Sequence, residues 1–181
     1  HVHINSGWGK GEDRMADMIR FADRVGIDAL CLSLGYSRDH NPPPRVVEGE
    51  NDLVWAEVQR RPDRIFGFCY LNPNYLAHAL AEIDRCIVNG PFRGIKLWIA
   101  LPCDHPNLDP GAERAAELGV PILQHSWRKI TGNYPCESRP EQVAALAARH
   151  PDTTIIFGHS GGEGEWGYRV VADLPNVDAE L

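Results

Sequence analysis

The sequence has no run of apolar residues long enough to span a bilayer, and it starts without the basic and then apolar segment of a secretion leader. It is also short of positive charge: its 18 Lys and Arg residues are outnumbered by 25 Asp and Glu residues, and the formal net charge is −7 at pH 7. An excess of negative charge disfavours unaided binding to nucleic acid or to an acidic membrane face. We therefore expect neither partner, and the cytoplasm is the simplest location.

Closely spaced cysteines are missing as well. The five cysteines include no C-x-x-C pair and are Cys31, Cys69, Cys86, Cys103 and Cys136. Most of them lie in apolar runs, where a reduced, buried thiol is the usual state, so a disulfide framework is not expected. No G-x-G-x-x-G or Walker phosphate loop follows the first predicted strand either, and a nucleotide-binding fold therefore loses support.

What the sequence does contain is an alternation of short apolar runs with longer, helix-patterned segments. The predicted strands are His1–Ile4, Ala29–Leu34, Arg64–Tyr70, Gly94–Trp98, Pro121–His125 and Thr154–His159. Apolar positions three and four apart predict helices over residues 11–26, 52–62, 74–90, 109–119 and 139–151. Strands that are apolar almost throughout suit a parallel sheet covered on both faces.

This alternation predicts an α/β fold, and the spacing favours a (β/α)8 TIM barrel. Successive strands lie roughly 30 residues apart, the size of one unit in a barrel of about 250 residues. A doubly wound open sheet would give the same pattern, but polar side chains recur at the C-terminal strand ends, where a barrel builds its active site. We expect one barrel domain over residues 1–181 that covers about the first six β/α units and is truncated before strands 7 and 8.

A polar, proline-rich segment follows the second predicted strand, from Tyr36 to Asn51. It is expected to form a long loop on the active-site side of the barrel. A substrate lid is one use of such a loop, and a plain irregular connection is the alternative.

Histidine recurs at the predicted strand ends. His1 and His3 are two residues apart on a strand, so their side chains project from the same face. His125 ends the strand PILQH, and His159 ends the strand TIIFGH. Each histidine alone has an ordinary explanation as a packed or solvated residue, but the strand ends converge at one mouth of a barrel. Because neutral imidazole nitrogen is a good ligand for zinc and its neighbours, the joint pattern predicts a metal site.

Other polar or aromatic side chains accompany the strand ends. Lys96 lies in an otherwise apolar strand, where a lysine is costly unless it faces the site. It is expected to bind a substrate carboxylate, to carry a carboxylated amine that ligates metal, or to reach a buried Asp. Arg128 is a candidate for holding a carboxylate by a forked contact, with a surface salt bridge as the alternative. The remaining candidates are Trp98 and Trp127 for substrate contact and Glu163 and Glu165 for acid–base work.

The motif order resembles that of the amidohydrolase superfamily. It consists of H-x-H at His1 and His3, GIKLW with Lys96, PILQHSW with His125 and IIFGHSGG with His159. More closely, the chain is similar to the amidohydrolase-related branch that includes zinc-dependent decarboxylases of the aminocarboxymuconate-semialdehyde type. The resemblance implies a divalent metal, zinc in the first place and manganese as the alternative, held by His1, His3 and His125. It implies that His159 is catalytic, either as a further ligand or as the group that polarises the substrate and orients water.

The implied activity is hydrolysis of a small carboxylated amide, lactone or related compound by metal-activated water. Non-oxidative decarboxylation of a small unsaturated or aromatic acid is the alternative. The family's last essential residue is an Asp near the end of the eighth strand, and this chain ends before it, so a third reading is an inactive fragment that needs its C-terminal part. A copper site formed by a free N-terminal amine with His1 and His3 is a further alternative. The expected partner is a small-molecule substrate, and a homo-oligomer is compatible with the sequence.

Overall fold

The computed structural model describes residues 1–4, 14–33, 39–162 and 165–180. Within these ranges, six parallel strands form one sheet, and their order in space is their order along the chain. The strands are β1 (Leu30–Leu32), β2 (Ile65–Tyr70), β3 (Gly94–Leu97), β4 (Ile122–Gln124), β5 (Ile155–Phe157) and β6 (Val177–Ala179). At the β1 edge, Val2 adds an isolated parallel bridge to Leu32.

Helices lie between the strands, because parallel strands need crossover connections. They are α1 (Arg14–Val25), α2 (Pro44–Arg60), α3 (Leu76–Ile83), α4 (Asp109–Leu118), α5 (Pro140–Arg149) and α6 (Glu165–Val171). A π-helical turn over Asp84–Val88 continues α3. Helix α4 ends at Gly119, whose φ of 64° is the left-handed conformation that glycine adopts without steric cost.

The sequential strand order identifies the architecture as part of a (β/α)8 barrel. A doubly wound sheet would reverse its strand order at a switch point, whereas every strand here pairs with its successor along the chain. The sheet curls into a half-barrel, and in the described part of the chain its two edges are β1 with the Val2 bridge and β6. The predicted fold class is confirmed.

The strands supply the centre of the hydrophobic core. Leu32, Ile65, Ile95, Ile122 and Ile155 come from five successive strands, and each is at most 1% exposed. Complete burial of an aliphatic side chain of this size stabilises the folded state by roughly 1.5–3 kcal/mol. The apolar runs of the sequence therefore fix the strands in the interior and leave their polar C-terminal ends at one edge of the sheet.

The structure corrects the predicted loop over residues 36–51. Helix α2 already begins at Pro44, and only residues 39–43 of that segment are described as non-helical; residues 36–38 lie outside the described part of the chain. Proline is accepted at the first helical position because its missing N–H needs no partner there. Val47, Val54 and Val58 then bury one face of the helix at helical spacing. The prolines were interpreted as a sign of a loop, but one of them is the first residue of a helix.

Two further predictions concern the cysteines and the membrane. All five cysteines are free thiols, as predicted, and three of them are buried. Among the described residues, no helix is both long enough and apolar enough to cross a membrane.

Candidate functional site

The four predicted site histidines lie together at the C-terminal edge of the sheet. The centroid of the His1 ring is 4.8 Å from that of His3 and 5.1 Å from that of His159. The rings of His125 and His159 are 4.9 Å apart. His125 directly follows β4 and His159 lies just after β5, so adjacent parallel strands deliver them to the same edge. The sequence-based grouping of these four residues is therefore reproduced in space.

Hydrogen bonds to oxygen acceptors orient three of these rings. His3 Nδ1 lies 2.6 Å from the carbonyl oxygen of Ser33, and His1 Nδ1 lies 2.5 Å from Oε1 of Glu180. His125 Nε2 lies 2.9 Å from Oε1 of Glu137. A carbonyl oxygen can only accept, so Nδ1 of His3 carries the hydrogen and Nε2 carries the lone pair. Metal-binding histidines are commonly oriented by a second ring nitrogen in this way.

The cluster favours neutral imidazoles. Burial lowers the pKa of His3 to about 4, with a further contribution from the charge of Lys96. Burial also lowers the pKa of His159 to about 4, and the charges of His125 and Lys96 add to the effect. The pKa of His125 is lowered mainly by burial, against the raising effect of its hydrogen bond with Glu137. Neutral rings at pH 7 are the protonation state that metal coordination requires.

The backbone at His159 is held in an unusual conformation. His159 has a φ of 56° and Ser160 a φ of 47°, both in the left-handed region that is costly for non-glycine residues. Glu180 holds this turn in place: its Oε2 accepts from the His159 N–H at 3.2 Å, and its backbone carbonyl accepts from the Ser160 hydroxyl at 2.6 Å. Conformations of this kind cost of order 1–3 kcal/mol each and concentrate at functional sites. The strain here directs the His159 ring into the cluster.

Lys96 lies on β3 beside the histidines and is fully buried. Its Nζ has no hydrogen-bond partner in the described part of the chain, so the buried Asp that was one predicted partner is not found among the described residues. Burial lowers the pKa of Lys96 to about 7, with a smaller raising effect from the charge of Glu180. Lys96 in turn contributes to the lowered pKa of His3, which places its amine within electrostatic reach of the cluster.

Of the two tryptophans predicted to contact substrate, Trp127 joins the histidine cluster. Its ring centroid is 4.8 Å from that of His159 and 6.3 Å from that of His125. Trp98 instead packs against His40, with ring centroids 5.6 Å apart. The structure therefore places the Trp127 ring directly beside His159, whereas the ring contact of Trp98 is with His40.

The other charged candidates form surface ion pairs or lie outside the described residues. Arg128 is 3.5 Å from a carboxylate oxygen of Glu141, on a partly exposed surface, which matches the salt bridge considered as its alternative. Glu165 is exposed, and its carboxylate accepts from Nε of Arg169 at 3.1 Å, so it forms a surface ion pair. Glu163 lies outside the described part of the chain.

Sequence reasoning missed the two carboxylates that contact the cluster. Glu180 touches His1 and the His159 backbone, and Glu137 is bonded to His125. Although burial favours the protonated form of Glu137, hydrogen bonds from His125 and Lys129 lower its pKa to about 2. Neither residue lies in one of the motifs quoted above: Glu137 lies in the segment between β4 and α5, and Glu180 directly follows β6, the same strand-end position that identified His125.

A second group of potential metal ligands lies elsewhere. Single ligand atoms of Cys69, Glu82 and Cys86 lie within 4.8 Å of one another, and all three residues are buried. The Glu82 carboxylate is already engaged, because it accepts from Nε and Nη2 of Arg85 at 2.6 and 2.8 Å and from Nδ2 of Asn51 at 2.8 Å. Burial also raises the pKa of the Cys69 thiol. This group is therefore a satisfied structural network around the Glu82–Arg85 ion pair.

The ligand atoms of the histidine cluster are of the type that binds a divalent metal ion. His1, His3 and His125 supply imidazole nitrogens, which suit zinc and related transition metals. The lowered pKa values of His3 and His125 keep both rings neutral, and acceptors hold the opposite nitrogens of both rings. The Cys69 group lacks this property, since its carboxylate oxygens are already bonded to an arginine and an amide.

Comparison with known proteins places the chain in a family. The family model described as Amidohydrolase matches residues 1–179. The gamma-resorcylate decarboxylase of Rhizobium radiobacter is 26% identical over 192 residues, an alignment that covers 85% of this chain and 59% of that protein. The chain thus spans well under two thirds of this curated relative.

Solved structures show the same fold. A 2,6-dihydroxybenzoate decarboxylase complexed with 2,6-dihydroxybenzoate aligns with a TM-score of 0.69 and 22% identity, over 91% of this chain and 61% of that one. The 5-carboxyvanillate decarboxylase of Novosphingobium aromaticivorans DSM 12444, complexed with manganese and 4-hydroxy-3-methoxy-5-nitrobenzoic acid, aligns with a TM-score of 0.66 and 22% identity, over 90% and 53%. The family model matches nearly the whole chain, and the fold is a curved parallel sheet with histidines at its C-terminal edge. This chain therefore belongs to the amidohydrolase family.

Proposed function

We propose that this chain carries the metal-binding part of a decarboxylase that acts on a small aromatic acid. We replace the hydrolase activity expected first from the sequence by its alternative, because the curated relatives and several of the similar solved structures are decarboxylases of aromatic acids. The observation that carries the proposal is the position of Trp127, whose ring lies against His159 and beside His125. A planar substrate ring placed on this tryptophan would lie within reach of the histidine cluster.

The residues divide into three roles. His1, His3 and His125 would hold the divalent ion, with zinc and manganese as the candidate metals, and the ion would supply positive charge for the oxygens of an acidic substrate. Trp127 would present an aromatic face to the substrate ring, which favours offset or edge-on contact. His159 is held against that face by its strained backbone and would form a polar contact with a substituent of the ring.

Decarboxylation needs little machinery beyond position and charge. The bond from the ring to the carboxylate breaks, CO₂ leaves, and a proton takes its place on the ring carbon. Lys96 and His125 are both buried, and a low local dielectric strengthens each electrostatic contact. Burial lowers the pKa of the Lys96 amine to about 7, and in its protonated form the amine would attract the anionic substrate; carboxylation of the amine is its other open role.

Metal content measured by mass spectrometry tests the site. We expect about one divalent ion per purified chain, and we expect His3→Ala and His125→Ala to lose it, because removing a nitrogen ligand opens the coordination shell. His78→Ala is the matched control, since His78 lies on helix α3 outside the cluster and should leave metal content unchanged. A folded wild-type chain without metal, or variants that keep it, would contradict the proposed site.

Product analysis tests the reaction. The metal-loaded protein is incubated with 2,6-dihydroxybenzoate and with 5-carboxyvanillate, and the released CO₂ and the decarboxylated phenol are both quantified. We expect the two products in equal amounts. Hydrolysis of a carboxylated amide or lactone without CO₂ release would restore the hydrolase reading. Trp127→Leu should raise KM for the aromatic acid more than it changes metal content, since the tryptophan is proposed to contact the ring and not the ion.

A further inference from the structure

Glu137 is a buried carboxylate in the segment between β4 and α5. Its side chain is 1% exposed, and it lies 12 residues after His125 along the chain. Both of its oxygens are used: Oε1 lies 2.9 Å from Nε2 of His125 and 2.7 Å from Nζ of Lys129, and Oε2 accepts from the Tyr134 N–H at 3.1 Å. Three donors from three directions therefore fix its position before any ligand is present.

We propose that Glu137 is a positioning residue that holds His125 as the tautomer with hydrogen on Nε2 and the lone pair on Nδ1. An ionised carboxylate can only accept, so the ring nitrogen that faces it must carry the hydrogen. The remaining lone pair is then on Nδ1, the nitrogen that does not face Glu137. The inference rests on the proposed metal site in one respect only, namely that Nδ1 is the atom of His125 that would bind the ion.

Lys129 has a distinct part in this arrangement. Its ammonium shares Oε1 of Glu137 with His125, and it also lies 4.3 Å from the ring centroid of Tyr134 and 5.5 Å from that of Trp127. Its charge offsets that of Glu137, so the buried pair carries no net charge beside the histidine.

The competing explanation is that Glu137 only fastens its own loop. Its bonds to Lys129 and to the Tyr134 N–H lie within that loop and would serve this purpose alone. The two explanations differ in what they say about the His125 ring. Loop fastening makes no demand on the tautomer, whereas positioning requires the hydrogen on Nε2.

Nitrogen-15 NMR of the histidine rings decides between them. In the metal-free wild-type chain at pH 7.5, two-bond nitrogen–proton correlations report which nitrogen of His125 carries the hydrogen, and His125→Gln identifies its signals. We expect the Nε2–H tautomer. In Glu137→Gln, an isosteric change, the amide can donate as well as accept, so we expect both tautomers to appear and zinc affinity, measured by competition with a chromophoric chelator, to fall about 10- to 100-fold.

Lys129→Met is the matched control. It breaks the loop ion pair but leaves the carboxylate on His125, so it should keep the Nε2–H tautomer and most of the zinc affinity. A wild-type His125 with hydrogen on Nδ1 would overturn the proposal, and so would Glu137→Gln with an unchanged single tautomer and unchanged zinc binding. The tautomer measurement needs no metal, and His125→Gln serves only to assign the signals. If the chain binds no zinc, the proposed function fails while the tautomer result still decides the role of Glu137.

Discussion

Replacing Lys96 by Met is expected to stabilise the metal-free chain at pH 7. Lys96 is fully buried on β3, and its amine has no hydrogen-bond partner in the described part of the chain. Burial lowers its pKa from the ordinary 10.5 to about 7. Methionine has a similar length and shape and no charge, so Lys96→Met removes the cost of burying the amine while leaving the packing of the strand nearly intact.

The size and direction of the effect follow from the two pKa values. Because the folded-state pKa is lowered, the unfolded chain binds a proton that the folded chain partly gives up, and stability rises with pH between about 7 and 10.5. At pH 7 the lysine lowers the free energy of unfolding by about 4 kcal/mol relative to an unshifted group, and at pH 9 by about 2 kcal/mol. The wild type should therefore gain about 2 kcal/mol between these pH values.

Urea unfolding at pH 7 and pH 9, in the presence of a chelator, measures this difference. The gain with pH should vanish in Lys96→Met, and the variant should be the more stable chain at pH 7. Ile95→Met is the control, because Ile95 is the buried neighbour on the same strand and carries no charge, so this variant should keep the gain. If Lys96→Met is less stable than the wild type at both pH values and the wild-type gain is absent, the amine has a stabilising partner and the reasoning is wrong.

Three further predictions concern acid stability, a buried ion pair and a close backbone contact. The lowered pKa values of His3 and His159 should make the metal-free chain lose stability as pH falls from about 6.5 to 4, by up to about 3 kcal/mol for His3, measured by urea unfolding across this range. Arg85→Met should lower the free energy of unfolding by about 3 kcal/mol, because it leaves the 4% exposed side chain of Glu82 charged without its partner. Gly158→Ala should cost about 1–3 kcal/mol in thermal unfolding, because the new Cβ would lie 2.8 Å from a backbone oxygen at the end of β4.

Two of these predictions have a matched control. Arg114 is as exposed as Arg85, but its partners are exposed carboxylates, so Arg114→Met should change stability by less than about 1 kcal/mol. Gly111 lies in α4 with open space around it, so Gly111→Ala should be neutral or stabilising. Equal effects of the two arginine changes, or of the two glycine changes, would contradict the structural reasons given. Constant stability between pH 6.5 and pH 4 would contradict the depressed pKa values of the two histidines.

The histidine cluster was predictable because its determinants are local. An apolar run that ends in a single polar residue predicts a buried strand with a polar tip, and parallel strands joined by helices bring such tips to one edge. His125 and His159 each follow this pattern. Lys96 was also identifiable, because a charged residue inside an apolar strand is an exception to the pattern of its neighbours.

Contacts between distant segments were not predictable in the same way. Glu180 reaches His1 across 179 positions, and Glu137 reaches His125 across a loop whose path no periodicity describes. The orientation of Arg128 was equally open, since a forked contact and a surface ion pair need the same residue, and only its position beside Glu141 separates them.

The amino-acid sequence by itself determined the alternation of strands and helices, the parallel sheet and the histidines at its C-terminal edge. These features follow from hydrophobic period and residue type, which are properties of short segments. Only the folded chain shows that helix α2 starts at Pro44, that His159 adopts a left-handed backbone, and that the carboxylates of Glu180 and Glu137 fix the rings of His1 and His125. Those features depend on contacts between residues that are distant in the sequence and come together only in the folded chain. The pattern of residues within a short segment does not specify such contacts.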